Sequence, residues 1–239
     1  MNERVKNLKI KLFADGAEIE VIREMAKNPL IKGFTTNPTL MRKAGLEDYV
    51  GFSKEVIKII PDHPLSLEVF SDDFSEMEIQ AKQIASWGKN VFVKIPVTNT
   101  KGEFCGELVK RLSSAGIQVN VTAMTTMEQV KKVYACLNPD VRSNISVFAG
   151  RIADTGVDPL PLMKEVIALV QSTPRCEIIW ASPRELLNVF HAESIGCHII
   201  TATTDILKKL SLVGKNLEEY SLDTVKMFYN DATSAGYKI

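Results

Sequence analysis

The sequence predicts a single (β/α)8 TIM barrel with an additional C-terminal helix, and three observations carry that expectation. From Lys9 onward, short β-rich runs alternate with longer stretches of helical period, the pattern of a parallel sheet with helices outside it. About eight such runs fit within the 239 residues, the number that closes a barrel. No low-complexity linker interrupts them, so residues 1–239 are expected to form one domain.

The expected strands are Ile10–Ala14, Gly33–Thr35, Leu65–Phe70, Asn90–Ile95, Ile117–Val121, Ile145–Phe148, Glu177–Ala181 and Cys197–Thr201. The helical stretches that follow them are Ala17–Lys27, Pro38–Ile60 with a break near Gly45, Phe74–Trp87, Glu103–Ala115, Thr126–Leu137, Pro159–Gln171, Pro183–Glu193 and Thr204–Leu210. A last helix, Leu222–Ala235, exceeds what closure needs. Two helix starts carry local marks. Asn37-Pro38 and Ser182-Pro183 each place a capping residue before a proline at the first helical position, and Glu185 would complete a capping box with Ser182. The second strand, short and rich in threonine, has the least support.

Composition excludes several classes of partner. Hydrophobic residues make up 45% of the chain and charged residues 24%, ordinary values for a globular protein. Lys+Arg and Asp+Glu balance at 29 each, so no overall field draws in nucleic acid or an anionic membrane. A bound anion must be held by a local site. Cys105, Cys136, Cys176 and Cys197 are scattered without the close pairs of a zinc site, and Cys176 and Cys197, which begin expected strands, read as reduced core residues. The segment from Met1 to Lys11 is charged rather than apolar, and no run is long enough to span a bilayer, so a cytoplasmic location is expected.

The chemistry of the sequence gathers around Val91-Phe92-Val93-Lys94-Ile95-Pro96. This reads as a buried strand with one ammonium group in its middle. Burial without a partner favours the neutral amine, which can attack a carbonyl carbon. A lysine paired with a core carboxylate, or snorkelling from a strand end, is the alternative.

In a barrel the chemistry sits at the C-terminal ends of the strands. Reading those ends in turn gives Asp15-Gly16, Thr36-Asn37, Glu68, Lys94, Asn120 with Thr122, Ser146 with Arg151, and Ser182 with Arg184. Asp15-Gly16 could be only a turn, and Asn37 and Ser182 only helix caps. Glu68 and Asn120 lie inside apolar runs, where an unsatisfied polar group costs several kcal/mol. Strand alternation would point both inward beside Lys94. A lysine with two carboxylates, two amides and hydroxyls around it describes a carbonyl-chemistry site.

Arg151 and Arg184, with Ser182 at an expected helix start, form a second constellation suited to a phosphate. A surface ion pair for one of the arginines is the competing reading. Neither GxGxxG nor GK[ST] occurs, which disfavours a nucleotide. His63, His191 and His198 are too dispersed for a metal cluster, and Trp180 reads as core.

Six segments together resemble the motifs of the transaldolase family, particularly its short microbial branch, over about Phe13 to Lys209. They are Ala14-Asp15-Gly16, Gly33-Phe34-Thr35-Thr36-Asn37-Pro38-Thr39, Val93-Lys94-Ile95-Pro96, Val119-Asn120-Val121-Thr122, Ser146-Val147-Phe148-Ala149-Gly150-Arg151 and Ala181-Ser182-Pro183-Arg184.

The resemblance implies aldol transfer through a Schiff base in the pentose phosphate pathway, without metal or organic cofactor. Lys94 would attack the ketose carbonyl, Asp15 would take the C4 hydroxyl proton, and Glu68 with Thr122 would handle a proton-shuttling water. Asn37, Asn120 and Ser146, with Thr36 beside them, would hold the retained dihydroxyacetone unit. Arg151, Ser182 and Arg184 would anchor the phosphate. It also implies sugar-phosphate substrates, no nucleic-acid or membrane partner, and a homo-oligomer touching through the last helix. A related fructose-6-phosphate aldolase branch, which releases free dihydroxyacetone, is expected to carry glutamine where this chain has Glu68 and tyrosine where it has Phe148. Those two positions align this chain with the transferases.

Overall fold

In the computed structural model, which describes residues 2–239, eight parallel strands pair in sequence order and the last returns to the first, closing a barrel. The strands are β1 Lys11–Asp15, β2 Ile31–Thr35, β3 Leu65–Glu68, β4 Val91–Pro96, β5 Val119–Met124, β6 Ser143–Val147, β7 Cys176–Trp180 and β8 Ile199–Thr203. Helices alternate with them on the outside, so this is the (β/α)8 barrel that the alternation predicts. Parallel strands covered on both faces should be almost continuously apolar, and β4 and β6 are buried over nearly their whole lengths.

Two apolar regions result. The larger lies between the barrel and its helices and includes Leu12, Phe34, Leu67, Val93, Val121, Ile145 and Trp180. The smaller, inside the barrel, joins Phe13, Ile179, Ala181 and Ile199, with Phe148 packed against it. Gly33 makes room for this inner plug. A Cβ at position 33 would lie 2.4 Å from the Phe13 ring, so the residue opposite Phe13 in the β1–β2 register can carry no side chain.

The long helical stretch expected from Pro38 is two helices, Pro38–Lys43 and Tyr49–Ile59. Gly45, at φ +67°, makes the break where it was expected, and the Asp48 carboxylate caps the second helix through Gly51 N at 2.8 Å. Asn37 caps the first by accepting from Leu40 N at 3.0 Å. The expected helix at Pro183 is corrected: helix Leu187–Ser194 begins four residues later and Ser182 makes no capping box. Ser182 sits at φ +60°, a conformation incompatible with an N-cap, and the Asn188 side chain accepts from Arg184 N and Glu185 N instead.

Short helices Glu3–Lys6 and Ala149–Asp154 lack a strong periodic signal and were not expected. The final helix, Leu217–Ser234, starts five residues before its expected first residue, where Asn216 accepts from Glu218 N at 2.8 Å and Glu219 N at 3.1 Å. It buries none of its residues against the barrel, leaving Leu217, Leu222, Val225 and Phe228 exposed. No helix among the described residues is long and apolar enough to cross a membrane.

The close fit of Phe13 against Gly33 gives a direct test of barrel packing. Gly33→Ala should lower unfolding free energy in urea by about 1–3 kcal/mol, the usual cost of overpacking. Combining it with Phe13→Leu should cost less than the sum of the two single changes, and strict additivity would show that the two side chains do not compete for one space.

Candidate active site

Lys94 lies two residues from the end of β4, and the strand register sets its neighbours. Glu68 is opposite it on β3 and Asn120 opposite it on β5. In a parallel sheet, residues in register share a face, so the three point together toward the barrel interior. Only 7% of Lys94 remains exposed. Its Nζ donates to Glu68 Oε2 at 3.2 Å and to the Thr36 carbonyl at 3.0 Å. The ammonium is therefore paired, and the carboxylate that balances its charge can also accept its proton.

Asp15, at the end of β1, is part-buried and accepts from Thr35 Oγ1 at 2.7 Å and, more loosely, from Asn37 Nδ2 at 3.4 Å. Burial pushes its carboxyl above the usual carboxylate range. The Lys94 charge, the Thr35 hydrogen bond and the Asn37 amide pull it down, and the Glu68 charge adds to the rise. Asp15 thus senses both members of the lysine–glutamate pair. Thr35 also bonds the Thr201 hydroxyl, linking β1, β2 and β8 below the carboxylate.

A second network crosses the barrel one step away. Asn120 Nδ2 donates to Ser66 Oγ at 3.0 Å, and Ser146 Oγ donates to Asn120 Oδ1 at 2.7 Å. Asn120 is fully buried and does not reach the pocket surface; Ser146 does. Thr122 Oγ1 is buried beside the lysine and has no hydrogen-bond partner among the described residues. A buried hydroxyl left unmade costs about 1–3 kcal/mol, so this one is suited to a water or a substrate group.

The opening above these residues is a pocket of about 510 Å³. Of the residues singled out in the sequence, Asp15, Asn37, Glu68, Lys94, Thr122, Ser146, Phe148, Arg151, Ser182 and Arg184 line it. Thr36 does not, because its hydroxyl donates to the Ser66 carbonyl at 3.0 Å inside the sheet; only its backbone oxygen serves the site. Thr35, Thr39, Lys43, Ala123 and Thr201 also line the pocket and were not singled out. Thr35 and Thr201 were legible as inward positions of their strands, whereas Lys43 comes from the face of helix Pro38–Lys43, whose rotation the short sequence segment does not fix.

The two arginines reach the pocket from different elements. Arg151 projects from helix Ala149–Asp154, and Arg184 from the irregular segment after β7. Arg184 Nε donates to Asp154 Oδ1 at 2.8 Å, its Nη2 bonds the other carboxylate oxygen, and its Nη1 donates to Ser182 Oγ at 3.0 Å. This fork fixes the guanidinium plane, and the Arg184 hydrogen bonds hold the Asp154 carboxyl below its ordinary range. Gly150 permits the approach: a Cβ there would lie 1.6 Å from the Ser182 carbonyl oxygen. Ala123, at φ +68° beside the β5 irregularity, and Ser182 are the described non-glycine residues in the left-handed region, and both line this pocket. Such conformations cost about 1–3 kcal/mol each and concentrate where side chains must be aimed.

The described residues contain no group of three or more His, Cys, Asp or Glu side chains able to hold a metal ion. The pocket offers instead a paired amine, two carboxylates, hydroxyls and guanidinium groups, a set suited to carbonyl addition on an anionic, hydroxylated molecule.

Comparison with known proteins narrows that chemistry. Residues 12–239 match the family model described as Transaldolase/Fructose-6-phosphate aldolase. Proteins named "Probable transaldolase" from Thermoanaerobacter sp. (strain X514) and Brucella anthropi are each 34% identical to this chain. The first aligns over 96% of this chain and 100% of its own length, the second over 91% and 97%. Among solved structures, KGPDC from Streptococcus mutans superposes with a TM-score of 0.57 at 12% identity, covering 84% of this chain and 91% of its own, a likeness of fold alone.

The raised pKa of Asp15 has a measurable sign. A carboxyl whose folded pKa exceeds its unfolded value penalises the folded state as pH rises above the unfolded pKa, and the penalty is complete above the folded one. Asp15→Asn should therefore raise the melting temperature at pH 7, with the gain shrinking as pH falls toward 4. A lower melting temperature at pH 7 would show that the Lys94 and Thr35 contacts outweigh burial.

Proposed function

The chain belongs to the transaldolase/fructose-6-phosphate aldolase family, and on that premise we propose that it transfers a dihydroxyacetone unit through a Schiff base on Lys94. The donor in this reading is a ketose phosphate such as fructose 6-phosphate, and the acceptor an aldose phosphate such as erythrose 4-phosphate. The observation that carries it is the buried Lys94 ammonium hydrogen-bonded to Glu68 in the pocket that Asp15 also lines.

Glu68 takes the proton from Lys94, and the freed amine adds to the ketose carbonyl carbon. Loss of water from the carbinolamine gives an iminium. A water held between Glu68 and the unpartnered Thr122 hydroxyl moves the protons of that step. Asp15 removes the proton of the C4 hydroxyl as the C3–C4 bond breaks, and the electron pair passes into the iminium to form an enamine. A carboxylate whose pKa is raised by burial is a stronger base than an exposed one. The aldose phosphate leaves, an acceptor aldehyde enters, and the enamine attacks it while Asp15 returns the proton. Hydrolysis then frees Lys94.

Asn37 and Ser146 face the retained three-carbon unit, and Asn120 acts through Ser146 by fixing its hydroxyl. Arg151, Arg184 and Ser182 hold the phosphate at the pocket wall, with Asp154 setting the Arg184 fork. Phe148 decides the fate of the enamine. A phenol at that position could protonate the enamine and release dihydroxyacetone, whereas a phenyl ring leaves it for the acceptor.

The protein is read as a cytoplasmic homo-oligomer, in which the exposed apolar residues of Leu217–Ser234 meet a second copy. Contiguous exposed apolar surface is unfavourable for a monomer.

Incubation with fructose 6-phosphate and borohydride, followed by peptide mapping, should find a reduced three-carbon adduct on Lys94. Lys94→Met should abolish the adduct and lower turnover by at least about 10³-fold. An adduct on another lysine, or none with a panel of ketose phosphates, would sink the mechanism. Phe148→Tyr should raise release of dihydroxyacetone without an acceptor, and unchanged release would remove Phe148 from the partition between transfer and cleavage.

A further inference from the structure

The N-terminal mouth of the barrel holds a second pocket, of about 300 Å³, sharing no lining residue with the first. Its walls come from the strand beginnings: Lys11 on β1, Lys32 on β2, Phe92 on β4, Arg142 just before β6, Asn144 on β6 and Glu177 on β7. Phe13 and Ile199, from the inner apolar plug, form its floor. In a barrel of this kind polar groups at this end ordinarily serve folding, and each would then have a structural partner.

Lys11 and Glu177 have one, each other, at 2.7 Å. Their charges cancel. Lys32 and Arg142 make no ion pair among the described residues; Lys32 Nζ donates only to the Pro29 carbonyl, and Arg142 lies over the Phe92 ring at 5.1 Å from its centroid. Glu177 supplies the pocket's only carboxylate among the described residues, against three cations. The remaining charge is two unneutralised positive groups facing one cleft.

Asn144 contributes a neutral polar group to the same cleft. It is 2% exposed, lies in register with Glu177, lines the pocket, and its amide makes no hydrogen bond among the described residues. Its polar atoms open to the cleft rather than being sealed in the core, so they can bond to whatever fills it. It adds a hydrogen-bonding group deep in the cleft, below the two free cations at the rim.

We propose that this mouth is a second anion site, taking a small phosphomonoester. The phosphate lies between Lys32 and Arg142, whose fork geometry suits it, and the organic part reaches past Asn144 to the apolar surfaces of Phe13 and Phe92. A dianion matches the two free charges, and the aromatic floor favours an apolar or planar body over a polyhydroxylated one. The site is independent of the reaction assigned to Lys94.

Phenyl phosphate is the probe, because it carries both features. Isothermal titration calorimetry on the full chain at constant ionic strength would use an Arg151→Gln/Arg184→Gln variant, so that binding at the C-terminal mouth is removed. That variant should still bind one phenyl phosphate per chain. Adding Lys32→Gln and Arg142→Gln should weaken the binding at least about ten-fold. Lys32→Gln/Arg142→Gln alone should keep the turnover of the unaltered protein and stay folded at the assay temperature, since both side chains are exposed and neither makes an ion pair among the described residues. No binding by the Arg151→Gln/Arg184→Gln variant, or binding unchanged by the loss of Lys32 and Arg142, would overturn the proposal.

Discussion

Removing one ammonium group from water is the constraint on which the rest of this barrel depends. An unpaired lysine at that depth would be strongly unfavourable, and the cost of burying a charge is several kcal/mol even after relaxation. Lys94 meets this cost through Glu68 on the adjacent strand and the Thr36 carbonyl from the end of β2. Both partners depend on register. A slip of one residue in β3 would turn Glu68 toward the helices and leave the lysine without its carboxylate. The closed barrel therefore does more than enclose a core, because it holds an acid and a base at a separation at which a proton can pass between them.

The fold was legible because strand and helix periods differ and because the ends of several elements carry their own chemistry. Gly45 marked a helix break, Asn37 a cap, and the β-branched run around Lys94 a buried strand. Failures occurred where local chemistry admits two answers. Ser182-Pro183 reads as a helix start, yet the chain needs Ser182 in a left-handed conformation to bring its hydroxyl to Arg184. Helix Ala149–Asp154 is too short for a periodic signal, although Arg151 rides on it.

The candidate site was legible at the level of residue types and less so at the level of contacts. Alternation along the strands suggested that Glu68, Lys94 and Asn120 share a face, and the register places them in line. Alternation could not distinguish a side chain that reaches the pocket from one that supports it. Asn120 sits beneath Ser146 with both its amide nitrogen and its amide oxygen hydrogen-bonded, and Thr36 turns its hydroxyl into the sheet. Both assignments depend on partners contributed by other strands, information that is distributed over the whole closed ring.

Gly33 and Gly150, two of the glycines that permit close approaches, differ in what lies across from them, and this separates their evolutionary freedom. Gly33 faces an aromatic side chain, so a smaller residue at position 13 opens a path for change at 33, and across descendants the two positions should drift together in a fixed order. Gly150 faces a peptide oxygen, which no exchange of side chain can shrink. Lineages can renegotiate the plug of the barrel, but the junction that presents the arginines leaves them no such route.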